Sequence, residues 1–149
     1  MKLATAFALG VLTFAPGLIT AETKVKMADL PPAVQNAVKE HTKNATLVGV
    51  SKEVEKGKTM YEVETKVDGK GRDLMLDAAG AVVSVEEEVD LNSIPGAAKA
   101  AIEKKVAGGT LKKVETVMEG SKVFYEAAIK TKAGKNTEVS VNADGSVHK

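Results

Sequence analysis

The chain has no cysteine and no tryptophan, and its 149 residues include only three phenylalanines, two tyrosines and two histidines. Each shortage closes a route. Without thiols there is no disulfide framework, no thiolate metal site and no cysteine nucleophile. The two imidazoles, His41 and His148, are too far apart in the chain to share one helix face, so no two-histidine metal motif exists. No serine occupies a Gly-x-Ser-x-Gly turn, and no glycine-rich phosphate loop leads into a helix. His41 ends a helical apolar stripe and reads as a partly buried edge residue; His148 reads as a frayed terminal one. Neither sign of charge dominates: there are 21 basic and 20 acidic side chains, and one of the basic ones is Lys2. A neutral, mixed surface lacks the basic footprint of a nucleic-acid binder. The expectation is a non-enzymatic protein with no cofactor, built on a core of Val, Ala, Leu and Ile.

The first 21 residues read as a signal peptide. Met1 and Lys2 give a positive start, residues 3–14 are apolar apart from Thr5, Gly10 and Thr13, and Pro16 and Gly17 break any helix. Ile19, Thr20 and Ala21 then put a small residue at a cleavage position. The apolar run is short for a spanning helix. A periplasmic or secreted protein starting at Glu22 is expected, with no membrane association after cleavage.

What the chain does have is an internal repeat. Shifted by 64 positions, Pro31, Ala33, Ala37, Thr46, Leu47, Val50, Glu55, Lys58, Tyr61, Glu62 and Lys66 meet identical residues in the second half, from Pro95 to Lys130, without a gap. One position further out of step, Gly69, Lys70, Ala78, Gly80 and Val82 meet Gly134, Lys135, Ala143, Gly145 and Val147. This is the signature of a duplication.

Each copy opens with a short helix. Pro31 and Pro95 suit a helix start, where a missing N–H costs nothing. Val34, Ala37, Val38 and His41 share one face, as do Ala98, Ala101, Ile102 and Val106. Asn44 and the Gly108, Gly109 pair end the helices. Alternating Val- and Thr-rich segments then predict strands over 46–55, 59–67, 72–77 and 81–89, and over 110–119, 122–132, 137–142 and a short 146–149. Glycine-containing turns between them imply antiparallel hairpins. The expected fold is α+β: two tandem units, each one helix packed on a four-stranded antiparallel meander. Residues 22–89 form the first unit and 90–149 the second, with 90–93 as linker. Units of this size are marginal alone, so the two are expected to pack together, with their sheets side by side.

The run Leu/Ile-Pro-x-Ala at 30–33 and 94–97, the Val-rich strand after it, Tyr61-Glu62 and Tyr125-Glu126, and the later Asp77-Ala78-x-Gly80 and Asn142-Ala143-x-Gly145 resemble the PepSY-like domains of exported bacterial proteins. The subgroup is the one named for its likeness to the β-lactamase inhibitor protein. The resemblance spans both copies. It implies a helix lying on an antiparallel sheet, often in tandem, outside the cytoplasm, and a binding or inhibitory role toward other proteins. The chain departs from the inhibitor in lacking its disulfides and its aromatic-rich binding face.

Strand alternation names a candidate face. With Tyr61, Val63 and Thr65 toward the helix, Met60, Glu62, Glu64 and Lys66 point away, and so do Asp73 and Met75 on the next strand. In the second copy Phe124, Glu126 and Lys130 point away. Met60 and Phe124 are equivalent apolar anchors within a charged rim, the anatomy of a protein-binding patch. The expected function is therefore binding of another envelope protein through this open sheet face, with inhibition by steric occlusion. The alternative is a periplasmic domain that binds a small ligand or a divalent cation. The acidic run from Glu86 to Asp90 lacks a calcium-loop pattern and reads as a solvated strand end that discourages edge pairing.

Overall fold

The computed structural model describes residues 20–55 and 57–149. The expected leader lies outside the described residues as far as residue 19, and its boundary at Ala21 falls inside the first strand. The chain runs β1 Thr20–Lys24, α1 Pro32–His41, β2 Thr46–Glu55, β3 Lys58–Val67, β4 Lys70–Asp77, β5 Val82–Glu88, α2 Gly96–Val106, β6 Thr110–Glu119, β7 Lys122–Lys130 and β8 Asn136–Val141. All eight strands form one antiparallel sheet in the order β1-β2-β3-β4-β5-β6-β7-β8.

The sheet is thus continuous across the expected linker. β5 pairs with β6 from Ser84↔Glu119 to Glu88↔Glu115. Residues 91–93 make a single 3-10 turn whose Leu91 packs into the core beneath α2. Five strands precede α2 and three follow it. The strand expected at 146–149 is reduced to one bridge between Val141 and Val147.

Both helices start just after a proline: Pro31 caps α1 and Pro95 caps α2. Their buried stripes follow the 3/4 spacing, Val34 and Val38 in one and Ala98 and Ile102 in the other. The core beneath α1 joins these to Leu30, Val50, Tyr61, Val63, Leu74 and Leu76. Beneath α2 it joins Ile94, Val114, Ala127, Ile129 and Val141. Cross-strand register puts both cores on one face: Val63 faces Leu74, Leu74 faces Val85, Val85 faces Met118, and Val114 faces Ala127 and, through it, Val139. Among the described residues the opposite face carries no helix.

Two hairpins share one register. Thr46↔Lys66, a slip between Leu47 and Gly49, Val50↔Val63 and Glu55↔Lys58 recur 64 positions later as Thr110↔Lys130, a slip between Leu111 and Lys113, Val114↔Ala127 and Glu119↔Lys122. Gly80 and Gly145 recur in the same way. Each has φ near +80°, and a Cβ there would lie 2.7 Å from a helix carbonyl oxygen, that of Ala33 or of Ala97. Only glycine combines that dihedral with so close an approach, so these two turns are pinned against the starts of α1 and α2. Among the described residues no helix is long and apolar enough to cross a membrane.

Candidate functional site

The helix-free face is assembled by rows running across the strands. One row reads Ser51, Glu62, Met75, Ser84, Glu119 from β2 to β6. The next reads Gly49, Glu64, Asp73, Glu86, Val117, Phe124 from β2 to β7. A third reads Glu88, Glu115, Glu126, Ser140 from β5 to β8. Adjacent strands lie about 5 Å apart, so carboxylates that are distant in sequence meet here.

The sequence-selected residues fall on this face as follows. Glu62, Glu64, Asp73 and Met75 are neighbours on β3 and β4. Phe124 lies beside Val117, and Glu126 beside Glu115. Lys66 and Lys130 sit exposed at the ends of β3 and β7. Met60 and Phe124 do face away from the helices, but only 7% and 2% of their surface is exposed. Phe124 is covered by the His148 ring, stacked at 3.7 Å between centroids and 7° between planes. The terminus is therefore not frayed: the His148 N–H donates to the Ser140 carbonyl, and its Nδ1 lies 2.8 Å from Asn142 Oδ1. The large apolar side chains that are exposed are others, among them Val48, Val123 and Val147.

Electrostatics set this face apart. Glu62, Glu86, Glu115 and Glu126 are all buried. Burial pushes the Glu86 carboxyl up to about 9, reinforced by Glu115, Glu126, Glu62 and Asp73. Burial raises Glu62 to about 8, with Asp73, Glu22 and Glu64 adding repulsion. Glu126 is raised to about 7, again by burial first, against a 2.7 Å hydrogen bond donated by the Ser140 hydroxyl. Asp73 is raised by burial to about 6, against the charge of Lys113 and the Thr65 N–H. Lys113 lies 2.7 Å from Glu115. Burial works against its charge, but the hydrogen bond and charge of Glu115, with Asp73 and Glu86, hold it above the usual lysine value.

The acidic run departs from its expected role. β5 is a central strand, Glu86 is buried, Glu87 pairs with Arg72 at 3.1 Å, and Glu88 accepts a 3.0 Å hydrogen bond from the Gly71 N–H. β5 runs on into pairing with β6, so the run is not at an edge. Sequence reading also missed Glu22, Ser51, Lys113, Glu115 and His148. Alternation along β6 would have placed Lys113, Glu115 and Val117 together on this face. At the β1 side Glu22, Glu62 and Glu64 converge, each offering one carboxylate oxygen within 4.8 Å of the others, and Glu22 accepts a 2.6 Å hydrogen bond from the Ser51 hydroxyl. This trio has the donor chemistry of a hard-cation site.

No family model and no curated protein matches the chain. Solved structures do. A protein from Bacteroides eggerthii expected to be periplasmic superposes at TM-score 0.64 and 16% identity, over 80% of this chain and 86% of its own. A DUF2874 family protein from Bacteroides uniformis gives TM-score 0.62 and 16% identity, over 80% and 86%. A BLIP-like protein from Bacteroides fragilis gives 0.55 and 21%, over 80% and 84%. The fold is that of the BLIP-like and DUF2874 proteins. At these identities the likeness speaks for architecture alone.

Proposed function

We propose that the chain is an exported, non-enzymatic binding module that takes a cationic segment of another envelope protein on its helix-free sheet face. The observation that carries this reading is the gathering of Glu62, Glu64, Asp73, Glu86, Glu115 and Glu126 on five consecutive strands, with Lys113 as the basic group set among them. A lysine or arginine brought to these carboxyls favours their ionised forms, so charge complementarity selects the partner. Met60 and Phe124 form part of the floor, and the charges make the contact. The module would inhibit an enzyme by covering its active-site mouth, with no chemistry of its own.

Export is supported by the N-terminal sequence and by the periplasmic description of the Bacteroides eggerthii protein. A tandem PepSY-like origin is supported by the shared hairpin register at offset 64 and by the matched contacts of Gly80 and Gly145. The test is capture from an envelope extract with the protein as bait, beside a form carrying Glu64→Gln, Asp73→Asn and Glu126→Gln. Capture that is lost in the variant and weakens with added salt supports the reading. Equal capture by both forms, with the variant folded by circular dichroism, overturns it.

A further inference from the structure

We infer that Glu22, Glu62 and Glu64 form a calcium site that ties β1 to the body of the sheet, independently of any protein partner. The register of β1 on β2 slips between Thr20 and Thr23, and Glu22 sits inside that slip. A bulge of this kind re-aims a side chain, and here the Glu22 carboxylate reaches the Ser51 hydroxyl on β2. Ser51 faces Glu62 across the β2–β3 ladder, and Gly49 faces Glu64. Gly49 has no side chain to fill the space above it; a Cβ there would lie 3.7 Å from Glu64 Oε1.

A second observation points to a missing ligand. Glu62 is only 8% exposed, yet no described residue gives its carboxylate a hydrogen bond or an ion pair, and its charged neighbours are all acidic. Buried carboxylates are ordinarily paired or metal-bound. The donor set suits Ca²⁺ in particular. Ca²⁺ takes carboxylate oxygens at about 2.3–2.6 Å in flexible geometry, and three such oxygens within 4.8 Å of one another are close enough to share one ion, with water completing its shell. Mg²⁺ demands near-ideal octahedral geometry and gives up its waters reluctantly. Because Glu22 belongs to β1 and the other two to β3, the ion spans β2 and fixes the N-terminal strand.

The test is a CaCl₂ titration of the full chain at neutral pH and constant ionic strength, read by melting temperature and by amide hydrogen exchange at Thr23 and Lys24. Glu22→Gln and Glu64→Gln are the variants, and Glu103→Gln on the exposed side of α2 is the control. The expected result is a saturable rise of several degrees in the wild type and the control, slower exchange in β1, and a rise at least halved in both variants. MgCl₂ at equal concentration gives a smaller rise. No rise with calcium overturns the inference. So does a rise that NaCl reproduces, or one that both variants keep in full. If a variant does not fold, β1 exchange in the wild type with and without calcium decides the matter, and unchanged exchange refutes the site.

Discussion

Replacing Glu86 by glutamine removes the carboxyl whose charge this fold tolerates least. Glu86 lies on β5 and faces Asp73 on β4 and Val117 on β6, with Glu115 two residues along β6 and Glu126 and Glu62 one strand further on each side. Lys113 is the cation nearby, and it is already committed to Glu115 at 2.7 Å. The folded-state value of about 9 stands above the ordinary 4.5, so the folded chain keeps a proton that the unfolded chain releases. That contribution to stability is fully present below pH 4.5 and is lost as pH rises through 9. Each pH unit inside this window costs about 1.4 kcal/mol. Glutamine has a similar shape and does not titrate. The stability of Glu86→Gln relative to wild type should therefore grow by about 3 kcal/mol between pH 5.5 and 8. The other carboxyls titrate in both proteins and largely cancel in the difference. Urea unfolding at half-unit pH steps, with m-values checked for constancy, measures it. A stability gap that stays flat across that range would show that Glu86 is not held neutral, and the picture of a crowded acidic face would fall with it.

Three further outcomes follow from the same geometry. Lys113→Met leaves the buried Glu115 carboxylate without its cation and should cost about 3–5 kcal/mol near neutral pH; urea unfolding there checks this. His148→Ala uncovers Phe124 and should cost about 1 kcal/mol, seen as a lower urea midpoint and faster proteolysis after Val141. Gly80→Ala and Gly145→Ala meet both a positive φ and a carbonyl at 2.7 Å, whereas Gly57→Ala meets a positive φ with nothing within 4 Å; the first two should each cost about 2–3 kcal/mol and the third about 1.

Local signals in the sequence reached the local structure. Val and Thr alternation located β2 to β8 to within a few residues, because strand side chains alternate whatever lies beyond them. Pro31 and Pro95 marked the helix starts to within one residue. Alternation also gave the direction of Met60, Glu62, Glu64, Asp73, Met75, Phe124 and Glu126. It could not give their burial. What covers Phe124 is His148, and that contact depends on residues 142–146 turning the chain back so that Val147 reaches Val141. β1 was missed because Thr20–Lys24 is short, charged and adjoins the apolar N-terminal run, and its partner β2 begins some twenty residues later. The Glu86 carboxylate was read as solvated because β5 was treated as the end of a unit; pairing with β6 is a contact between halves that no periodicity within one half reveals. The convergence of Glu22 with Glu62 and Glu64 hangs on the β1 bulge, which leaves no mark in composition.

The strand order has a kinetic consequence. Every strand hydrogen-bonds only to its neighbours in the chain, from β1 through β8, so the ladder closes short loops one after another. Antiparallel proteins are usually slow folders because distant segments must find each other first. Here the longest closures are those around α1 and α2, between β1 and β2 and between β5 and β6. The sheet can therefore grow by adding hairpins to a formed edge, and its folding rate should lie nearer that of helical proteins than that of a β-sandwich of equal length.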